Sequence, residues 1–451
     1  MANAPKNRPH HKPVVQKIIQ PVESFMAMES ASGITLMAAA IIAMIWANSP
    51  FKESYHHFVE MPVGFALGSW TMMKSLHHWV NDGLMVIFFF VVGLEIKREL
   101  LVGELSSPKR AALPMFAALG GMIFPALIYL AFNKTGISHS GWGIPMATDI
   151  AFAVGILTLL GKRVPFVLKV FLLALAIVDD LGAVLVIAFF YTAEISTHAL
   201  GLAVLGLAIT YIMRYAGIRK HLVYVVLGVW VWLGFLKSGV HATVAGVLIG
   251  LVTPLDRLYA LTELPSKLKQ SVDGFIAAIS GNNGDENLTY EAVNHLEDLH
   301  HTVVEAQSPI DRFIHMLHPW VGFVIMPIFA LINAGVTIEG VSFSEVLSHN
   351  ITVGVILGLL VGKPIGVFLL SYIAVKLKIA DLPQGVTWFH VVGVGFLAGI
   401  GFTMALFISN LALKTPELEI YSKVGILTAS VLAGIVGSIL LLMGKSEKAS
   451  E

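Results

Sequence analysis

The sequence predicts an all-α polytopic membrane protein of about 12 transmembrane helices. An inverted-topology repeat is expected, with two broken helices crossing at the membrane midplane. On the outer side one connection reads as a β-hairpin or an irregular loop. Three observations carry this reading. First, 56% of the residues are hydrophobic and 13% charged, against about 25% charged in soluble domains. Second, apolar runs recur at about the roughly 20 residues of a bilayer crossing. Third, residues 171–190, "FLLALAIVDDLGAVLVIAFF", are apolar or glycine everywhere except at the adjacent acids Asp179 and Asp180.

Composition narrows the function classes. Net charge is zero over 451 residues, which leaves no basic footprint for a nucleic acid. The chain has no cysteine, so disulfides, thiol chemistry and the common zinc cages are excluded.

The elements follow in order. Residues 1–28 are polar and basic, and no cleavable signal peptide is expected. Within them "VVQKIIQPVESFM" spaces Val15, Ile18, Ile19, Val22 and Phe25 as an amphipathic helix on the membrane surface. Spans are expected near 31–48, 79–96, 111–132, 142–160, 164–192, 198–213, 222–236, 239–252, 318–338, 349–375, 388–413 and 424–443. The seventh and eighth are short and nearly touch, so they read as a tight hairpin of spans or as one re-entrant pair. Helices 1–8 thus occupy 29–252 and helices 9–12 occupy 313–443, with a cytoplasmic insert at 253–312 and a cytoplasmic tail at 444–451. With both termini inside, only Lys52, Lys74, Lys134, Lys237, Lys414 and Lys423 fall outside, and Lys363 lies within a span. The remaining Lys and Arg are inside, as the positive-inside rule requires.

Two connections are long. The outer one, 49–78, contains "FVEMPVGFALGSWTMMKSL", whose Pro and Gly separate two short extended runs. The insert contains "NLTYEAVNHLEDLHHTVVEA", which places Leu288, Ala292, Leu296, Leu299 and Val303 on one helical stripe. His295, His300 and His301 on that helix read as solvated surface residues. "GNNGDEN" lacks the alternating ligands of a calcium loop and reads as a turn.

Four charged residues stand at mid-span: Asp149, Asp179, Asp180 and Lys363. Each costs about 2.5–3.5 kcal/mol at a bilayer centre. One acid paired with the lysine would be architectural, but three acids against one base leave two carboxylates unneutralised. A buried carboxylate without a counter-charge takes a proton or binds a cation, which points to ion transport. Consecutive helical residues diverge by about 100°, so Asp179 and Asp180 cannot serve one face. One is expected against Lys363 and the other open to a passing ion.

Glycine and proline crowd two stretches, "GWGIPMATDIAFAVG" (141–155) and "VVGVGFLAGIGFTMALF" (391–407). The first reads as an unwound helix lining a cavity. The second reads equally as unwinding or as close packing of the small-xxx-small kind. They occupy matching places in two span triplets of opposite orientation, which points to a midplane site where the breaks cross. There Asp149 would neutralise half-helix N-termini and Lys363 C-terminal ends.

Together with "NDGLMVIFFFVVGLEIKREL", "LKSGVHATVAGVLIG", "LHPWVGFVIMPIFALINAGV" and "GLLVGKPIG", the "ATDIAF" and "DDLGA" motifs make the chain resemble the NhaA family of bacterial sodium/proton antiporters from about residue 28 to 443. That family is itself an instance of the inverted-repeat rule used above, so the two inferences share a root. The resemblance implies Asp180 as the principal sodium ligand and Asp179 as the acid paired with Lys363. Thr148 and Asp149 match the unwound crossing that supports the site. Glu95, Arg98 and Glu99 match a cytoplasmic cluster tied to pH activation, and His241 matches a histidine tied to pH response. His315 and His318 are further candidates, because histidine titrates near neutral pH. The outer hairpin, residues 55–75, resembles the family's homodimer contact. Ile314 departs from the pattern, since some members carry an acid there. The insert is longer than in compact members, and the resemblance assigns it no role.

The expected function is therefore electrogenic, pH-regulated exchange of Na+ or Li+ for H+ across a bacterial inner membrane, serving sodium and pH homeostasis. That is a secondary active transporter and not an enzyme, and no cofactor is implied. A sodium-coupled symporter would need a pocket for an organic solute. An intramembrane aspartyl protease would need a Gly-x-Gly-Asp motif, which is absent, and would leave Lys363 without a task.

Overall fold

Apolar segments in a bilayer must satisfy their backbone hydrogen bonds internally, so they become helices. The computed structural model describes residues 30–444 except 68–69, 193, 260–261, 281–288 and 338–341. In chain order these form α1 (Ala31–Ala47), α2 (Lys52–Val59), β1 (Pro62–Leu67), β2 (Trp70–Ser75), α3 (Met85–Val102), α4 (Pro108–Phe132), a 3₁₀ helix (Ile137–Met146), α5 (Ile150–Leu159), α6 (Phe166–Phe190), α7 (Thr197–Tyr215), α8 (His221–Ser238) and α9 (Thr243–Val252). There follow α10 (Leu264–Ser280), α11 (Tyr290–Glu305), α12 (Pro309–Trp320), α13 (Met326–Asn333), α14 (Asn350–Leu357), α15 (Lys363–Lys376), α16 (Trp388–Ala398), α17 (Phe402–Ala412) and α18 (Pro416–Met443).

Every expected span is helical. Among the described residues eight helical runs are long and apolar enough to cross a membrane, and two bent pairs raise this to ten. The other two of the twelve expected spans are α3, which carries the charged run 95–99 before its last three residues, and the ten-residue α9. The amphipathic segment at 15–25, the "GNNGDEN" turn and the tail beyond 444 lie outside the described residues.

Proline shapes two of the spans. The π turns Val321–Ile325 and Gly358–Gly362 each end two residues before a proline, Pro327 and Pro364. Proline has no N–H to give the preceding turn, and a wider turn accommodates the freed carbonyl.

The chain divides into two compact units, Met1–His57 with Leu113–Asp179 and Gly322–Glu451, and Phe58–Ala112 with Asp180–Val321. In the first, α18 packs on α14 and α16, α15 on α16, and α1 on α5 and α13. Gly120 of α4 faces Gly366 of α15 so closely that a Cβ on either would overlap the other's carbonyl. Helix α2 turns 120° away from α1 and is tied to α13 by Tyr55, whose hydroxyl donates to Leu331 O at 2.9 Å.

In the second unit β1 and β2 pair antiparallel from Pro62↔Ser75 to Leu67↔Trp70, so the long connection 49–78 does contain a β-hairpin, after the helix α2. Trp79 Nε1 anchors it by donating to Val63 O at 2.8 Å. Helix α3 packs on α9, and α7 on α8. The insert is a hairpin of α10 on α11. The buried stripe of α11 runs through Ala292 to Thr302, while Val303, expected on it, is exposed. Glu305 at the end of α11 pairs with Arg312 (3.3 Å) and Arg219 (4.0 Å). The next span begins at Pro309, with Ser308 as its N-cap.

Candidate functional site

Two helix breaks meet inside the first unit. One spans residues 147–149, between the 3₁₀ helix and α5; the other spans 399–401, between α16 and α17, which are bent by 48°. The amide of Asp149 donates to Ile400 O at 2.7 Å. Both readings of the second Gly-rich stretch hold at different places. The chain unwinds at 399–401, while Gly395 lies against Pro364 of α15, where a Cβ would come within 2.9 Å.

Asp149 is fully buried and caps two half-helices at once. Its Oδ1 accepts from Phe152 N at 3.0 Å, in the first turn of α5. Its Oδ2 accepts from Thr403 N (3.1 Å) and Thr403 Oγ1 (2.5 Å), in the first turn of α17. Two positive dipole ends therefore converge on one carboxylate. Ser430 Oγ takes up another free amide of α17, Phe402 N, at 3.1 Å.

Opposite charge meets the opposite ends. Lys363 Nζ donates to Met146 O, at the C-terminal end of the 3₁₀ helix, and to Asp179 Oδ2. The C-terminal end of α16 is met by Thr148 instead, whose Oγ1 lies 2.8 Å from Ala398 O and 2.6 Å from Asp179 Oδ2. A hydroxyl has one proton, so Thr148 shares it between a helix end and a carboxylate. Asp179 and Lys363 are fully buried. Asp179 Oδ1 has no hydrogen-bond partner among the described residues.

Asp180 follows on α6 and is equally buried, 1% exposed. Its side chain leaves the helix about 100° away from that of Asp179. Thr148, Asp149, Asp179 and Lys363 are thus brought together, with Asp180 the next residue along.

A family model described as Na+/H+ antiporter 1 matches residues 23–441. The chain belongs to the Na+/H+ antiporter 1 family. It is 48% identical over 430 residues to the Na(+)/H(+) antiporter NhaA of Oleidesulfovibrio alaskensis, covering 95% of this chain and 94% of that one. It is 46% identical to Na(+)/H(+) antiporter NhaA 2 of Sorangium cellulosum (93% and 89% covered). It is also 46% identical to the Na(+)/H(+) antiporter NhaA of Acidithiobacillus ferrooxidans (96% and 99% covered). This member of the family is a multi-pass membrane protein.

The remaining candidates of this antiporter-family chain belong to the second unit. Glu95, Arg98 and Glu99 are half-buried in the last turns of α3. Glu99 Oε2 accepts from Glu104 N at 2.9 Å and so holds the turn that follows. His241 is half-buried in the turn before α9, and His315 and His318 are exposed on α12. Ile314, the departure from the family pattern, packs with Leu94, Tyr224, Ile310 and Phe313. A carboxylate at that position would be set among apolar side chains.

Sequence reasoning missed Thr403, Ser430 and Lys97. The signal for Thr403 was its place just after "GIG", where a hydroxyl begins the second half-helix. Lys97 stands between Glu95 and Arg98 but is buried, and it donates to Thr253 O at the C-terminal end of α9. Nothing in "GLEIKREL" separates that buried cation from its half-buried neighbours.

Proposed function

We propose that this chain exports Na+ in exchange for H+ across a bacterial inner membrane, electrogenically, with both termini cytoplasmic. The observation that carries the reading is the buried Lys363–Asp179 pair where two broken helices meet, one residue from a second buried carboxylate. Carboxylate oxygens suit hard alkali cations, so Na+ and Li+ are the expected cargo. Asp180 is its principal ligand.

The residues divide the work by chemistry. A proton on Asp179 cancels its attraction for Lys363 and lets the carboxyl donate to Thr148. Thr148 can then give its own proton wholly to Ala398 O. Loss of that proton restores the ion pair. Asp149 accepts from the starts of both half-helices and so holds the crossing together. Alternate exposure of the site to the two sides completes the cycle.

Dependence on pH is assigned to Glu95, Arg98, Glu99, His241, His315 and His318, with the β-hairpin within 55–75 as the homodimer contact. The test is Na+-driven alkalinisation of acid-loaded proteoliposomes, repeated with Li+ and K+ across pH. Asp180→Asn is expected to abolish exchange; normal exchange by that variant overturns the site. Exchange that requires an added organic solute would point to a symporter instead.

A further inference from the structure

The first unit carries an apolar groove of about 790 Å³ between α1, α5 and α18. Met37 and Ile41 of α1, Ile156 of α5, and Leu427 and Ile435 of α18 form its walls, and Phe402 lies in its floor. Two serines line it, but both are engaged: Ser430 Oγ accepts from Phe402 N at 3.1 Å, and Ser438 Oγ donates to Gly434 O at 2.6 Å. Apart from these two hydroxyls and Gly434, every residue of the lining carries an apolar side chain. Its rim is open, with Ile41, Ile435 and Ile439 about half exposed (52%, 53% and 51%).

The floor is the back of the crossing. Phe402 begins α17 and meets the ring of Phe152 edge-on, centroids 5.9 Å apart. Phe152 N donates to Asp149, as does the amide of Thr403 beside Phe402. Anything lying in the groove thus touches side chains from the first turns of both half-helices.

Every wall belongs to a helix expected to lie in the membrane, and α18 is long and apolar enough to cross one. Water does not fill a cavity without polar partners, so hydrocarbon is the physical occupant. The length agrees, because Leu427 to Ile439 covers about 18 Å of helix at 1.5 Å per residue. One leaflet of a roughly 30 Å hydrocarbon core offers about 15 Å.

We propose that this groove is a lipid site, in which one acyl chain of a membrane phospholipid packs against Phe402 and Phe152 behind the crossing. The inference rests on the chain spanning a bilayer and not on which ions it exchanges.

The protein has no cysteine, so one introduced cysteine is a unique labelling site. The full chain carrying Leu427→Cys, labelled with bimane, is reconstituted in vesicles of phosphatidylcholine with or without bromine at mid-acyl chain. Bromine is expected to quench the label as strongly as it quenches one at the rim residue Ile439→Cys. Adding Ala40→Phe, which fills the groove, should cut the quenching at Leu427→Cys by more than half and leave Ile439→Cys unchanged. A Leu427 label that bromolipid does not reach while the rim label is quenched overturns the proposal, and leaves a protein segment or a second copy as occupant. Quenching unaffected by Ala40→Phe overturns it too. Ile156→Cys repeats the measurement from the opposite wall should Leu427→Cys fail to fold. Since the readout is fluorescence, the result stands or falls independently of exchange activity.

Discussion

Lys363 and Asp179 form an ion pair 184 residues apart in sequence, with both side chains fully hidden from solvent. Removing one member of such a pair leaves a charge buried alone, which typically costs about 3–5 kcal/mol. Replacing both by apolar groups removes that penalty. Lys363→Met and Asp179→Leu should each lower the unfolding temperature in detergent clearly, and the double variant should recover most of the loss. Additive losses in the double variant would show that the two charges do not support one another.

Asp149 is held by Thr403 through both an amide and a hydroxyl. Thr403→Val keeps the shape and deletes the hydroxyl, so a buried carboxylate loses one donor, at a cost of about 1–3 kcal/mol. Thr403→Ser restores the donor and should restore both stability and exchange. If Thr403→Val matched the parent protein in thermal unfolding and in vesicle exchange, the hydroxyl would have no such part.

Gly120 and Gly366 bring α4 and α15 into backbone contact. A methyl group at either position has no space and must push the helix that carries Lys363. Overpacking of this kind costs about 1–3 kcal/mol. Gly366→Ala should therefore reduce stability and exchange together, whereas Gly385→Ala, where a Cβ meets nothing within 4 Å, should reduce stability only by its backbone strain (φ +76°). The comparison is made by exchange rate per folded molecule.

His349 precedes the span Asn350–Lys376 and caps it, its Nδ1 accepting from Ile351 N at 3.2 Å. The ring stacks on Tyr421 at 3.8 Å. Burial holds its pKa below the ordinary 6.5, and the Glu345 carboxylate opposes that shift in part. Below the ordinary value the unfolded chain takes up a proton before the folded one does. The contribution of His349 is thus complete above pH 6.5 and is lost as pH falls from 6.5 towards the depressed folded value. The unfolding temperature should drop over that window, and His349→Asn, which can still cap, should flatten the drop.

The positions of the helices were legible because each apolar run imposes its own solvation requirement, whatever lies next to it. Asp149, Asp179, Asp180 and Lys363 were conspicuous for the same reason: a charge within an apolar run is costly wherever the chain takes it. Residues whose meaning depends on a distant neighbour were not legible. Thr403 looks like any threonine until Asp149, 254 positions away, comes within 2.5 Å of its hydroxyl. Lys97 sits in a charged run and becomes distinct only because Thr253 O reaches it. On α11 the spacing placed Val303 on the buried stripe, yet Thr302 is the residue that is buried there and Val303 is exposed.

By itself, then, the sequence determined that this chain spans a membrane many times and carries charges inside it, because burial costs are local to each segment. The family resemblance already implied Asp179 as the partner of Lys363; only the tertiary structure decided that Thr148 bridges Asp179 and Ala398 O, and that Asp149 and Ser430 hold the start of α17. Those choices depend on distances between segments that fold together from far apart in the chain, and no local pattern encodes them.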